Sequence, residues 1–176
     1  MTEKSWLIEG AVPDRETITA EWKPADQRLI EGVVVREVLN VPKPAGRLTE
    51  IFRRDWFSSE EPVDQVFVNV LEPRSISGWH AHAFAKDRLF AISGLFTIAL
   101  FDAREESATR GVLNVFRFGE VRPALVIVPP RVWHGVQNIS SAPAMLLNLT
   151  DIAYDYTNPD HWRIPHDSPA VPFDWA

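Results

Sequence analysis

Cysteine is absent from the 176 residues. That excludes disulfides, thiolate metal ligands and a cysteine nucleophile, so any metal would need histidine and carboxylate. The same absence fits a reducing compartment. Lysine is scarce, and the 18 Lys and Arg residues are outnumbered by 24 Asp and Glu, for a formal charge of −6. With no basic stripe, nucleic acid is not an expected partner. No segment approaches the roughly 18 apolar residues of a membrane span, and "MTEKSWLIEG" carries no apolar signal region. The expectation is a cytoplasmic protein with no membrane partner. Internal repeats and low-complexity segments are also lacking, which sets repeat architectures aside.

What is present is ordinary globular material, 45% hydrophobic and 24% charged. This length suits one domain. We expect a single domain over residues 1–176, with a core at about 46–153, an N-terminal arm at 1–45 and a C-terminal tail at 154–176. From Arg47 to Ala153, β-branched and aromatic runs alternate with Gly, Pro, Asp and Ser, the pattern of strands and turns. The candidate strands are "RLTEIFR", "QVFVNVLE", "WHAHAF", "RLFAI", "LFTIALFD", "VLNVFRF", "ALVIVP", "WHGVQNI" and "AMLLNLTDI". They predict an all-β sandwich or barrel, with a tight hairpin at Ser93-Gly94 where glycine supplies a positive φ. Both ends are rich in Pro and Asp and read as extended arms. Trp162, Phe173 and Trp175 are expected to pin the tail or to pack against a second subunit. Because edge strands of all-β domains can pair, a homodimer is expected.

The histidines carry the chemistry. Residues i and i+2 of a strand face the same way, so His80 and His82 of "HAH" point into one region. Asp87 follows near the start of the next strand and is a candidate third ligand. His134, in "VPPRVWHGVQN", is a candidate fourth. Three His and one Asp suit Zn, Ni, Fe or Mn by ligand type, with open positions for water or substrate. His161 and His166, in "PDHWRIPHDSP", read as solvated tail histidines and are left outside the site.

These residues resemble the two motifs of the cupin superfamily, small β-barrels of jelly-roll topology. His80, His82, Asp87 and Gly94 match the first motif, with Asp in place of Glu. Pro129, His134 and Asn138 match the second, with Arg131 in place of glycine. From about Gly46 onward the chain is similar to the nucleotide-sugar cupins, the dTDP-4-dehydrorhamnose 3,5-epimerases and the dTDP-4-keto-6-deoxyhexose 3,4-ketoisomerases. "GRLTEIFRRDWF" resembles the epimerase N-terminal strand, "NLTDIAYDYTNPDHWRIP" their tail, and "HAH" the ketoisomerase element.

The resemblance implies proton transfer beside the ketone of a keto-deoxysugar, probed most simply as a dTDP-linked 4-keto-6-deoxyhexose, with no cofactor required. His80 takes the position of the epimerase base, His82 works beside it, and His134 lines the same pocket. Leu147 takes the position of the epimerase general-acid tyrosine, which leaves Tyr154 or Tyr156 to replace it. Glu50, Arg53, Arg74, His134 and Asn138 are the expected substrate contacts, with Arg53 and Arg74 able to grip a diphosphate. Two alternatives stand beside this reading. One is a metal-dependent cupin enzyme, an oxygenase or sugar isomerase, using His80, His82, Asp87 and His134 as ligands. The other is a non-catalytic sugar-binding cupin.

Overall fold

The computed structural model describes residues 6–20, 24–25, 27–57 and 62–175. The strands run in chain order as β1 (Val34–Glu37), β2 (Asn40–Lys43), β3 (Gly46–Thr49), β4 (Gln65–Leu71), β5 (Ile76–Ala81), β6 (Asp87–Ser93), β7 (Leu95–Phe101), β8 (Leu113–Gly119), β9 (Ala124–Val128), β10 (Trp133–Asn138), β11 (Ala144–Thr150) and β12 (Trp162–Arg163). A 3-10 turn at Arg54–Trp56 is the only helical element among the described residues. The expected strands are present as β3 to β11, while β1, β2 and β12 come from the segments read as arms.

Two strands end differently from expectation, and local hydrogen bonding explains both. "RLTEIFR" pairs only over Gly46–Thr49, because Arg53 then folds onto the carboxylates of Asp55 and Glu50. "WHAHAF" pairs over Ile76–Ala81. Beyond Ala81 the amides of Ala83, Phe84 and Ala85 donate to the Asp160 carboxylate at 2.6, 2.8 and 3.1 Å rather than to a neighbouring strand.

The antiparallel strands form two five-stranded sheets, β1-β9-β6-β11-β4 and β12-β5-β10-β7-β8, in the jelly-roll arrangement, with β2 and β3 as a separate hairpin. Alternation along the strands sends Leu89, Ala91, Ile98, Leu100, Phe116, Phe118, Val126, Val136 and Leu146 into the layer between the sheets. Ile30 and Val33 join this layer, so the core reaches further toward the N-terminus than the 46–153 boundary. Gly94 turns β6 into β7 at φ 75°, in the left-handed region that glycine tolerates. A Cβ there would stand 2.5 Å from the Cβ of Ala144, so the position is closed by space as well as by φ.

The outer faces are covered by chain rather than left wet. Phe52 and Phe57 lie over Phe90, Leu125 and Ile127 of the first sheet. On the second sheet Trp79 is wholly buried beneath Phe173 and Trp175, and its indole N–H donates to the carbonyl of His166 at 3.1 Å. Glycines in the sheet make room for this tail. A Cβ on Gly78 would meet His166 at 2.7 Å, and one on Gly135 would meet Trp175 at 2.8 Å. Phe173 and Trp175 thus pin the tail as expected, whereas Trp162 is 64% exposed and does not.

Candidate active site

Each of the two sheets contributes to one polar cluster between them. His80 on β5 lies directly opposite His134 on β10, and their ring centroids are 4.0 Å apart. Asp87 opens β6 in the other sheet, paired with Thr150 and Val128, and points across the sandwich at them. His82 follows the end of β5. Its carbonyl accepts the Arg131 amide at 2.7 Å, where Arg131 takes φ 66° at the position of the motif glycine.

Backbone carbonyls orient all three rings. Nδ1 of His80 faces Gly78 O at 3.2 Å, Nδ1 of His134 faces Val132 O at 3.0 Å, and Nδ1 of His82 faces Asp160 O. A carbonyl oxygen only accepts, so each Nδ1 carries a proton and each Nε2 turns inward. The three Nε2 atoms converge on Asp87 Oδ2, at 2.9 Å from His134, 3.3 Å from His82 and 3.9 Å from His80. The last distance is too long for a hydrogen bond, which leaves His80 Nε2 disengaged from Asp87. Asp87 is 2% exposed, and its Oδ1 is buried with no hydrogen-bond partner among the described residues.

The environment separates the two histidines of "HAH" electrostatically. Burial, reinforced by the charge of His134, pushes His80 down to about 3 against the pull of Asp87. Burial also acts to lower His82, but its hydrogen bond and charge interaction with Asp87, together with Asp160, outweigh that and raise it. Asp87 is driven up by burial and held well below the usual carboxylate range by the surrounding imidazoles, His134 first. The cluster therefore offers a His80 that is neutral at neutral pH, a His82 that holds a proton to higher pH than an ordinary histidine, and an anionic carboxylate.

A cavity of about 580 Å³ opens beside this cluster. Its walls combine Phe67, Asn69, Leu146 and Asn148 of the first sheet, Ser77 and Val136 of the second, Phe84 of the following loop, and residues 152–155 and 158–163 of the tail. His161, set aside as a solvated tail residue, is part of this wall, with its ring 4.9 Å from those of both His80 and His82. Burial and the charge of Arg163 lower it to about 4. Arg163 also lines the cavity, because β12 pairs with β5 and sets Arg163 opposite His80. The sequence signal for both was the likeness of "NPDHWRIP" to the epimerase tail. Local Pro- and Asp-rich composition argued the other way.

Other expected site residues fall elsewhere. Asn138 is fully buried, and its side-chain amide donates to the carbonyls of Leu71, Glu72 and Ala142 while its oxygen accepts from Ser140. Its hydrogen-bonding capacity is spent on the backbone, and it lies outside the cavity lining. Glu50 and Arg53 are paired with each other outside the cavity lining, and Arg74 occupies a turn at φ 62°, also outside it. Tyr154 lies at the cavity mouth, 47% exposed, while Tyr156 meets its ring edge to face and is 86% exposed. Leu147 does not mark a tyrosine-shaped gap. Its neighbours Leu146 and Asn148 face the cavity, so strand alternation turns Leu147 outward onto the cluster beside Phe52 and Phe57.

No protein-family model matches the chain. Curated relatives do. The chain is 33% identical over 147 residues to the "Probable low-salt glycan biosynthesis epimerase Agl13" of Haloferax volcanii, covering 83% of this chain and 94% of the relative. It is 30% identical over 147 residues to the spore coat polysaccharide biosynthesis protein SpsL of Bacillus subtilis, covering 84% and 97%. Among solved structures, a dTDP sugar isomerase from Desulfovibrio desulfuricans G20 superposes with a TM-score of 0.77 at 27% identity, covering 83% of this chain and 92% of that one.

Proposed function

The chain belongs to the nucleotide-sugar branch of the cupins, the family of sugar epimerases and isomerases, and on that footing we propose that it moves a proton beside the ketone of a dTDP-linked 4-keto-6-deoxyhexose. What carries this reading is the split between His80 and His82. Groups in one pocket whose environments drive their proton affinities apart divide naturally into base and acid. His80 Nε2, neutral and disengaged from Asp87, takes the proton from the carbon next to the ketone. The C–H electron pair becomes the carbon–carbon double bond of an enolate, and the ketone π pair moves to oxygen. His82, which keeps its proton to higher pH, returns one to carbon, with Tyr154 as a second donor at the mouth. Asp87 stabilises the imidazolium that forms. Return at the opposite face epimerises the sugar, and return at a different carbon isomerises it.

Arg163 takes the diphosphate contact expected of Arg53 and Arg74, because it is the arginine that reaches the cavity wall among the described residues. The substrate is a soluble nucleotide sugar, and we place the reaction in the cytoplasm. We also infer a homodimer. The edge strand β4 leaves Val66, Val68 and Val70 exposed in a row, with its outer hydrogen-bonding edge unpaired among the described residues, a surface a second copy would cover.

The test is solvent exchange. In D₂O, wild-type protein replaces the proton beside the ketone of dTDP-4-keto-6-deoxyglucose with deuterium, and His80→Ala slows this by roughly 10²–10⁴-fold. Full exchange by His80→Ala would remove His80 as the base.

A metal reading is favoured by one further observation. With every Nδ1–H given to a carbonyl, three Nε2 lone pairs and the Asp87 carboxylate face one point, and all four donor atoms lie within 4.8 Å of one another. Backbone-anchored imidazoles of this kind fit a divalent cation, Zn, Ni, Fe or Mn, and the partnerless Asp87 Oδ1 fits it too. Bound there, the metal would supply Lewis-acid polarisation of a substrate oxygen. Elemental analysis of untagged protein separates the readings. Near-stoichiometric metal, with exchange lost on chelation and restored on its return, selects the metal reading.

A further inference from the structure

An isomerase that abstracts a carbon-bound proton needs a group to hold the charge that arrives on the ketone oxygen, and the base and acid assigned above do not supply it. The tail carries a residue in the right place. His161 lines the cavity, its ring centroid is 4.9 Å from both His80 and His82, and its Nε2 is buried without a hydrogen-bond partner among the described residues. A buried polar atom without a partner is a group that calls for one. A base in contact with the acidic carbon and a donor in contact with the adjacent oxygen lie roughly 5–6 Å apart, given near-attack and hydrogen-bond distances of about 3 Å on either side of a C–C=O unit. The ring centroids of His161 and His80, 4.9 Å apart, are of that order.

The placement is built. His161 sits between Asp160, whose carboxylate takes three backbone amides of the loop after β5, and β12, which pairs with β5 itself. Two sets of bonds therefore fix its backbone against the same strand that carries His80.

We propose that His161 is a catalytic residue that donates its Nε2–H to the ketone oxygen of the sugar and holds the enolate formed when His80 removes the neighbouring proton. This rests on the proton-transfer reading above. The balance is simple: the C–H bond breaks, the proton goes to His80, the electron pair forms the carbon–carbon double bond, and the ketone π pair becomes a third lone pair on the oxygen facing His161. No proton need leave His161. Reprotonation at carbon restores the ketone.

The experiment measures deuterium uptake and turnover with dTDP-4-keto-6-deoxyglucose for wild type, His161→Phe and His161→Gln. Phenylalanine keeps the ring and removes the donor, whereas glutamine keeps an N–H. His161→Phe is expected to lower both exchange rate and kcat by roughly 10²–10³-fold, the usual loss of one oxyanion donor, with KM within a few-fold and His161→Gln in between. Tryptophan emission and thermal unfolding report whether the tail stays docked; if phenylalanine undocks it, His161→Gln alone decides by the same kcat-against-KM split. Undiminished exchange in a docked variant, or a loss confined to KM, overturns the proposal. Wild-type protein that exchanges no deuterium removes the base reading and this proposal with it, whereas wild-type exchange that survives in the variants overturns this proposal alone.

Discussion

His80 and His82 are separated by one alanine and share one carboxylate neighbour, yet they titrate in opposite directions, and that has a direct kinetic signature. A base whose affinity is lowered stays neutral as the solution is acidified, so its limb of the rate profile lies far below that of an ordinary histidine. For metal-free protein we expect kcat/KM to stay nearly level between pH 7 and pH 5, where a base with a pKa of 6.5 would lose roughly 25-fold. On the other side, His82 is raised, so its donor form is lost only as pH rises through that raised value. Asp87 is the main group raising it, and Asp160, His80, His134 and His161 are the other titratable groups facing it. Asp87→Asn removes the attraction, so the alkaline limb moves to lower pH. A steady-state profile of the two proteins checks both limbs; an alkaline limb that does not move separates Asp87 from His82.

Among elements, the strands were the most legible part of the sequence and the tail the least. Runs such as "LFTIALFD" and "ALVIVP" announce strands through β-branched and aromatic content bounded by turns, and they pair as β7 and β9. The His80, His82, Asp87 and His134 grouping was readable because strand alternation fixes which side each ring takes. His161 and Arg163 were not, because their position depends on a two-residue strand and on Asp160 reaching the loop after β5 from 75 to 77 residues away. Nothing in local composition encodes such a contact. The clamp itself can be measured. Asp160→Ala leaves three amides without their carboxylate, and we expect a loss of about 1–3 kcal/mol in urea unfolding together with a higher KM as the cavity wall loosens. The β6–β7 hairpin gives a second check. Gly94→Ala meets both the left-handed backbone penalty of about 1–2 kcal/mol and the clash with Ala144, so a loss of about 3 kcal/mol is expected in the same assay.

For the whole molecule, the two ends of the first sheet are unequal. β1 closes one side with Ile30 and Val33 buried beside it, while β4 ends the other with Val66, Val68 and Val70 at 54%, 45% and 62% exposure. The inner face of the same strand lines the cavity through Gln65, Phe67 and Asn69. An apolar row on an open edge favours association, and natural edges are commonly protected by lysine. Light scattering of the double variant Val66→Lys, Val68→Lys is therefore expected to show a monomer where wild type shows a dimer. A wild-type monomer at tens of micromolar would remove the dimer.

Trp79 and His80 are neighbours in β5 and look out on opposite sides of the sheet, one into the cage of Phe173 and Trp175, the other into the cavity. The wall between them is a single strand thick, and the chain that closes the cage on one side has just passed through the cavity wall on the other. We therefore expect emission from the indole pair to shift when a nucleotide sugar fills the cavity, a change that a titration reads without label or coupled assay.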